Sequence, residues 1–386
     1  MRMLVLSFYY QPDLCAGSFR TTSLVKELKG RLKEKDELDI ITTMPNRYQS
    51  FNDTALEFEE YQNIKIYRIN LGSHKSGFVD QSLLFGKFAF KVANIIRKNE
   101  KYDIVYATSS RLMTAFLGAL IANSQRSKLF LDLRDIFTDT LQSLFAKSRL
   151  KYIIPMFKMI EKYTVNSAHH INLVSQGFEK YFKDINEKID YSFYSNGIDD
   201  EFLHFDFTKE KQTTKKIIMY AGNIGEGQGL DKIIPQMAKM LGDDYIIQII
   251  GDGGTRLKLV EALQGITNVE ILPPVNRTKL LEMYKNSDYL FLHLNDYEAF
   301  KKVLPSKIFE YAATHKPIIA GVGGYARDFI ETNLRDAIIF KPCNAHDFIK
   351  NFNAKSHQKV ADRKEFIQHY SRESIMNGLS KKVYEL

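Results

Sequence analysis

Residues 219–230 read Met219-Tyr-Ala-Gly222-Asn223-Ile-Gly225-Glu-Gly227-Gln228-Gly229-Leu230. A short apolar run leads into this stretch and a segment of helical spacing follows it, which is the order of a buried strand, a tight turn and a helix. Glycines let the backbone of such a turn approach a ligand closely, and the free amides at the next helix start attract phosphate. The stretch matches neither the strict dinucleotide fingerprint nor a Walker P-loop. A phosphate-binding turn is favoured over a merely flexible one.

The same order of apolar runs and amphipathic segments recurs along nearly the whole chain, as in buried parallel strands joined by helices. A polar, charged stretch at 199–216 interrupts it, and the alternation restarts at 217–221. We therefore expect an α/β protein with two Rossmann-like domains that face each other across a cleft. Ligands bind such sheets outside the carboxyl ends of the strands.

The expected domains are 1–198, 199–360 and a C-terminal helix, 361–386, that packs back on the first domain. The predicted strands are 3–8, 38–43, 64–69, 104–107, 129–133 and 171–174, then 217–221, 245–250, 269–272, 289–292, 317–320 and 337–340. The predicted helices are 18–32, with Ser18 as its N-cap, then 82–98, 112–122, 230–241, 278–286 and 306–314.

The composition restricts the class of protein. A chain of 386 residues has room for about two domains, and 44% hydrophobic with 26% charged residues is ordinary for a soluble protein. Its two cysteines, Cys15 and Cys343, form neither a disulfide framework nor a metal cluster, which fits a reducing cytosol. We see no secretory signal and no run of about 18 apolar residues, so a cytoplasmic location is expected.

The net charge is +8 and the pI is about 9.0. Such a balance suits nucleic acid, a membrane surface or an anionic substrate. The sequence has no helix-turn-helix, zinc finger or RNA-binding aromatic signature, so nucleic acid is not an expected partner. Phosphate-bearing small molecules and anionic lipid remain.

A second motif reads Val303-Leu-Pro305-Ser306-Lys307-Ile-Phe-Glu310-Tyr311. Proline is well placed at a helix start, and residues three apart on a helix share a face. Lys307 can supply positive charge to a diphosphate, and Glu310 can accept two hydroxyl hydrogen bonds from a ribose. The alternative is a capped helix with a lysine and a glutamate on its solvated side.

Three further turns follow predicted strands. The turn at 251–253 contains glycines and an aspartate. The turn at 132–135 places charged residues at a strand end of the first domain, and the turn at 12–20 follows the first strand. Each also has a structural interpretation: an ordinary turn, an Arg–Asp pair, or a glycine needed for chain geometry. Their candidate residues are Gly251, Asp252 and Gly253; Asp132, Arg134 and Asp135; and Gly17 and Arg20.

Together these motifs resemble the family-4 retaining glycosyltransferases of the GT-B fold, especially a subgroup that includes L-fucosamine transferases of bacterial surface-polysaccharide synthesis. The resemblance covers nearly the whole chain. It rests on 12–20, 132–135, 195–199, 220–230, 251–253 and 304–312. It implies transfer of a hexose or N-acetyl-deoxyhexosamine from a UDP-sugar, with retention, to a hydroxyl of a glycan or polyprenyl-linked acceptor in O-antigen or capsule synthesis. The UDP-sugar is a co-substrate, and no metal or other cofactor is expected.

The resemblance also implies where the donor lies. The diphosphate would rest on the turn at Gly222, Asn223, Gly225 and Gln228 and on the helix start at Pro305, Ser306 and Lys307. Glu310 would hold the ribose, and the segment that ends in Val275 would flank the base. Lys307, Arg134 and Asp135 are the catalytic candidates.

Several positions depart from the common family pattern. Lys302 stands where many members carry the first of two glutamates, and Gln228 stands where many carry a lysine. The common acceptor-side histidine is missing near 132–135, and His169 and His170 are better explained as structural. Two alternatives therefore remain: a nucleotide-sugar epimerase of the same fold, and a non-catalytic nucleotide- or glycan-binding subunit.

The segment from Lys147 to Tyr163 is a candidate membrane surface, because it carries five cations against one anion. A basic helix with an apolar face can lie in the headgroup region of anionic lipid, which would make the protein peripheral on the inner face of the membrane. Alternatively the stripe packs on the first domain, and Pro155 is expected to kink or divide the helix. The predicted stripe consists of Tyr152, Ile153, Met156, Phe157 and Ile160.

Overall fold

The computed structural model describes residues 1–13, 15–45, 55–72, 78–109, 112–145, 149–208, 214–357 and 360–386. The chain divides into two compact units, Met1–Asn196 with Glu373–Leu386, and Gly197–Arg372. The chain passes from the first unit to the second after Asn196, close to the expected boundary at 198. It returns to the first unit after Arg372, later than the expected boundary at 360. Part of the polar stretch 199–216 lies outside the described residues. The cleft between the domains stays a prediction.

An eight-stranded sheet forms the centre of the first unit, in the order β3-β4-β2-β1-β5-β6-β7-β8. Its neighbouring strands pair in parallel, except that β3 is antiparallel to β4. The central strands are buried along almost their whole length, which explains their continuous apolar sequences. The strands are β1 (Arg2–Leu6), β2 (Glu37–Thr43), β3 (Phe58–Tyr61), β4 (Ile64–Ile69), β5 (Ile104–Thr108), β6 (Lys128–Leu133), β7 (His170–Leu173) and β8 (Asp190–Ser192).

Helices connect these strands. In chain order they are α1 (Ala16–Lys29), α2 (Phe78–Lys98), α3 (Leu112–Gln125), α4 (Phe137–Phe145), α5 (Ile154–Asn166) and α6 (Glu179–Ile185). The predicted cap of the first helix is wrong. Cys15 has the extended backbone of an N-cap, so α1 starts at Ala16 and Ser18 lies buried in its first turn.

The second unit has a wholly parallel six-stranded sheet in the order β11-β10-β9-β12-β13-β14. The strands are β9 (Lys216–Ala221), β10 (Tyr245–Ile250), β11 (Val269–Leu272), β12 (Tyr289–His293), β13 (Ile318–Gly321) and β14 (Ile338–Phe340). The helices are α7 (Asp200–His204), α8 (Leu230–Leu241), α9 (Arg256–Ala262), α10 (Arg277–Asn286), α11 (Lys307–Ala313), α12 (Gly324–Asn333), α13 (Ala345–Lys355) and α14 (Lys364–His369).

The last helix, α15 (Arg372–Tyr384), belongs to the first unit from Glu373 onward. Its apolar residues, among them Met376 and Leu379, are fully buried. Arg31 donates a hydrogen bond to the Ser380 hydroxyl at 2.7 Å, and the Tyr384 hydroxyl donates to Asp36 at 2.6 Å. The C-terminus of the chain thus completes its N-terminal fold.

Helix α5 differs from the predicted amphipathic segment. The segment is divided beside Pro155, as predicted: a 3-10 helix covers Arg149–Ile153, and α5 begins at Ile154 with Pro155 in its first turn, where proline is tolerated. Phe157 is buried against Leu112 and Leu141, which removes it from the predicted surface stripe. Lys147 lies outside the described residues. The exposed apolar residues of this region are Tyr152, Met156, Met159 and Tyr163.

Among the helices that the structure describes, none is both long and apolar enough to cross a membrane.

Candidate active site

The turn after β9 brings the backbone of Gly222 close to a cationic side chain. Gly222 has a φ of +143°, and a Cβ atom there would lie 2.6 Å from the Lys307 ammonium nitrogen. The turn leads into α8, whose preceding residue, Gly229, is left-handed. Glycine is needed at Gly222 because any side chain would displace Lys307 from the turn.

The turn at Gly251 and Gly253 supports the first one. A Cβ atom on Gly251 would lie 1.8 Å from the carbonyl oxygen of Gly222, so the two backbones touch. The Ile224 amide donates to the Asp252 carbonyl at 2.9 Å. The side chain of Asp252 is exposed and accepts from the Gly253 amide at 2.8 Å. The turn at 251–253 therefore restrains the backbone of the turn at 222–229.

Asn223 and Gln228 bond to each other within the turn. The Gln228 side-chain oxygen accepts from the Asn223 amide at 2.9 Å and from the Gly225 backbone amide at 3.2 Å. An acceptor oxygen therefore already occupies one of the backbone donors. A phosphate oxygen could take the same place, because it accepts from the same groups.

His293 was not predicted, and it fixes the position of Gln228. Its Nδ1 lies 2.6 Å from the Gln228 carbonyl oxygen, and its Nε2 lies 2.9 Å from the Cys343 amide. Burial lowers the pKa of His293 to about 4, so the ring is neutral at pH 7. Only one tautomer satisfies both contacts: Nδ1–H donates to the carbonyl and Nε2 accepts from the amide.

Lys307 is a half-buried cation at the start of α11. Its ammonium lies 5.1 Å from the centre of the Tyr220 ring, and burial lowers its pKa while Glu310 opposes the shift. No side chain among the described residues forms a hydrogen bond or ion pair with it. Pro305 and Ser306 precede the helix, and Ser306 forms no side-chain cap. The first turn of α11 therefore presents an ammonium group that Glu310 influences electrostatically but that no ion pair among the described residues holds.

Glu310 lies one turn further along α11 and is partly exposed, at 21%. Its carboxylate is 3.5 Å from the Arg277 guanidinium. Burial raises the pKa of Glu310, and Arg277 is the strongest opposing influence. Val275, predicted to flank the base, is partly buried against the core beneath this region.

In the first unit, Arg20 and Asp132 form a buried ion pair at 2.7 Å, with exposures of 1% and 0%. Arg20 also donates to the carbonyl oxygens of Tyr194 and Ser195, and Asp132 accepts from Tyr106 and Asn172. Their polar groups are thus used inside the domain. These contacts favour the structural interpretation, with Arg20 as the arginine of the Arg–Asp pair, and the contact of Arg20 and Asp132 with a substrate stays a prediction.

Arg134 and Gly17 lie near this pair. Arg134 donates to the Asn196 side chain at 3.2 Å, and burial lowers its pKa. Gly17 is buried inside α1, where its carbonyl accepts from the Thr21 hydroxyl at 3.0 Å. Gly17 therefore serves helix packing here, while the catalytic role of Arg134 stays a prediction.

Asp135 lines a small pocket with Ser109, Glu161 and Thr164. Its Oδ1 is buried and has no hydrogen-bond partner among the described residues. Burial raises the pKa of Asp135 to about 7. A carboxyl of this kind can exist in both protonation states near neutral pH, as an acid–base catalyst must.

A family comparison bears on the unit that contains the glycine turns and Lys307. Residues 202–372 match the family model for glycosyl transferases group 1. The matched stretch covers nearly all of the second unit. The prediction of a glycosyltransferase is confirmed at the level of this family match.

One relative is WcaI of Escherichia coli (strain K12), named as a colanic acid biosynthesis glycosyl transferase. It is 35% identical over 96 residues, a stretch that spans 24% of this chain and 23% of WcaI. The matched part is thus about a quarter of that relative.

Solved structures resemble the whole chain. Sucrose-phosphate synthase from Thermosynechococcus elongatus has a TM-score of 0.72 at 12% identity, covering 100% of this chain and 98% of that one. Alr3699/HepE of Anabaena, solved with UDP and glucose, has a TM-score of 0.71 at 15% identity and covers 100% of both chains. At these identities the likeness shows the fold, which is the predicted GT-B fold.

Proposed function

We infer that the chain is a glycosyltransferase of bacterial surface-polysaccharide synthesis. It would move a hexose or N-acetyl-deoxyhexosamine from a UDP-sugar to a hydroxyl of a glycan or lipid-linked glycan, with retention and without a metal ion. The group 1 domain and the name of WcaI support the reaction class. The complex of Alr3699/HepE with UDP-glucose supports the donor class.

The observation that carries the proposal is Lys307. A half-buried ammonium without an ion-pair partner among the described residues costs stability unless an anion compensates it. It lies beside Gly222, whose missing side chain leaves room at the turn. The diphosphate of a nucleotide-sugar is an anion of the right charge, and it would rest on the turn and Lys307 together.

Charge builds on the leaving diphosphate as the glycosidic bond breaks. Lys307 and backbone amides of the turn can stabilise that charge electrostatically, as oxyanion donors do in other enzymes. A front-face route, in which the leaving phosphate takes the acceptor proton, requires no covalent nucleophile from the protein. The proposal therefore assigns catalysis mainly to the donor site.

Incubation with a panel of nucleotide-sugars, with and without a lipid-linked acceptor, tests the reaction class. We expect nucleoside diphosphate release and a glycosylated acceptor only when both substrates are present. Conversion of the free nucleotide-sugar without acceptor would indicate an epimerase instead. Binding without turnover of any kind would indicate a non-catalytic subunit.

Metal independence is tested in the same assay. Transfer should continue undiminished in excess chelator, since a lysine and backbone amides supply the positive charge. Activity lost on chelation and restored by manganese or magnesium would contradict this part of the proposal.

The proposal places the protein in the cytoplasm, peripheral on the inner face of the membrane. Around α5, the exposed lysines Lys151, Lys158 and Lys162 alternate with the exposed apolar residues Tyr152, Met156, Met159 and Tyr163. Each cation near an anionic surface contributes about 1 kcal/mol. Co-sedimentation with anionic vesicles should weaken with salt and with Lys151→Glu and Lys158→Glu. Protein that stays in the supernatant at low salt would contradict membrane contact.

A further inference from the structure

Arg277 lies between three carboxylates. Its guanidinium is 2.9 Å from Asp199, 3.2 Å from Glu201 and 3.5 Å from Glu310. Among these, Glu201 is the exposed partner, at 56%, while Asp199 and Glu310 are largely covered, at 15% and 21%. A planar guanidinium can serve several carboxylates at once because its five N–H groups point in different directions.

The orientation of Arg277 is fixed before any ligand binds. It is the first residue of α10, and the helix is capped by the Asn276 side chain, which accepts from the Lys279 amide at 2.9 Å. The guanidinium lies 4.6 Å from the ring centre of the buried Phe202. The backbone, the ring and Asp199 therefore hold the cation in one place beside Glu310.

Asp199 is itself fixed by the two chain segments that join the units. The Ile198 amide donates to the Tyr370 carbonyl and the Arg372 amide donates to the Ile198 carbonyl, each at 2.7 Å. Arg372 also forms an ion pair with Asp199. Gly197 is left-handed, with a φ of +76°, and a Cβ atom there would lie 2.9 Å from the Arg372 Cα. Entry into and exit from the second unit thus converge on the carboxylate that holds Arg277.

We propose that Arg277 is a positioning residue for the donor's ribose: held by Asp199 and Phe202, it keeps Glu310 ionised and directed to accept the ribose hydroxyls. This inference rests on the proposed donor site at Glu310. It adds the reason why a carboxylate in this covered position is a good hydroxyl acceptor. It also gives the Asn-Gly-Ile-Asp string at 196–199 a role in donor binding.

The charges around Glu310 decide its protonation. Arg277, Lys307 and Arg372 favour the carboxylate, whereas burial and Asp199 favour the neutral acid. Removing Arg277 leaves Glu310 and Asp199 facing each other with less compensation, so Glu310 binds a proton at higher pH. A neutral acid loses one acceptor position, and the second ribose hydroxyl loses its partner.

The test is the preference of the full-length protein for UDP over 2′,3′-dideoxy-UDP, measured by calorimetry at about pH 6 and about pH 8. The wild type should prefer UDP by roughly tenfold or more at both pH values, since hydrogen bonds to charged groups are strong. Arg277→Met should reduce the preference severalfold at pH 6, and part of the lost preference should return at pH 8, where Glu310 ionises again. Arg277→Lys should recover part of the preference at both.

Two controls separate positioning from folding. Glu201→Gln removes only the exposed partner of the same arginine and should leave the preference unchanged. Circular dichroism and thermal melting confirm that each variant is folded; if Arg277→Met is not, Arg277→Lys and Asp199→Asn take its place with the same expectation of a reduced, pH-dependent preference.

The outcomes distinguish the two proposals. A wild type that binds neither nucleotide contradicts the proposed donor site itself. If the wild type prefers UDP, Glu310→Ala abolishes that preference, and every folded variant of Arg277 keeps it at both pH values, the donor site stands and the role of Arg277 is wrong.

Discussion

Lys307 is the residue that the proposed chemistry depends on most. Lys307→Ala removes the cation next to Gly222, and by analogy with the loss of one oxyanion donor we expect a cost of about 3 kcal/mol, or roughly a hundredfold in kcat. Lys239→Ala, which removes an exposed lysine from α8 of the same unit, is the matched control and should be neutral. Equal kinetics for both variants would place the site elsewhere.

Asp135 gives a prediction for stability. Its pKa is raised to about 7, so the folded protein retains a proton that the unfolded chain releases near pH 4. The stability that this proton contributes is present below about pH 4 and is lost as the pH rises to about 7. Asp135→Asn, which stays neutral, should therefore raise the Tm by several degrees at pH 8 and little at pH 4.5. A Tm difference that does not depend on pH would contradict the assignment.

Single residues were the hardest to predict. Lys307 and Glu310 could be named as candidates because their spacing on one helix is local. The ion-pair partner of Asp132 could not be predicted, because Arg20 is 112 residues away in the sequence and only the folded domain brings the two side chains together. His293 and Arg277 lack any local motif, and their importance comes from what they contact in the folded domain: Gln228 and Glu310.

At the scale of elements, the two glycine turns form one unit of structure. Gly251→Ala puts a Cβ atom against the Gly222 carbonyl, so the turn must shift, and we expect a loss of at least about 2 kcal/mol of stability together with weaker UDP binding. Gly254→Ala, in the same turn, is the control, because a Cβ atom there meets nothing within 4 Å. Thermal melting measures the loss of stability, and UDP titration measures the change in affinity, for both variants. An unchanged Gly251→Ala protein would show that the contact is not needed.

Most elements with a clear apolar period were predicted well. The predicted strands 245–250 and 269–272 and the helix 230–241 coincide with β10, β11 and α8. Short edge strands such as β3 and β8 were not predicted, since three or four residues are too few to show a hydrophobic period. The apolar stripe around α5 was misassigned because exposure depends on packing, which buries Phe157 and leaves Met159 in solvent.

At the scale of the whole molecule, repetition of one α/β pattern before and after 199–216 was enough to predict two Rossmann-like domains. The return of α15 to the first unit follows from its apolar residues, which need a partner surface, but sequence alone could not fix the exact crossing after Arg372. If the donor binds as proposed, we expect the identity of the sugar to depend on side chains of that site, and Lys302 and Gln228 depart there from the common family pattern.

Titration of the wild-type protein with UDP, UMP and uridine in excess chelator tests the central claim, a metal-free diphosphate site in the second unit, most directly. Because Lys307 and the glycine turn would contact the diphosphate, we expect UDP to bind at least about tenfold more tightly than UMP. Uridine should bind weakest, and removal of the chelator should change nothing. Equal affinity for the three ligands, or UDP binding that appears only when manganese or magnesium is added, would contradict the claim.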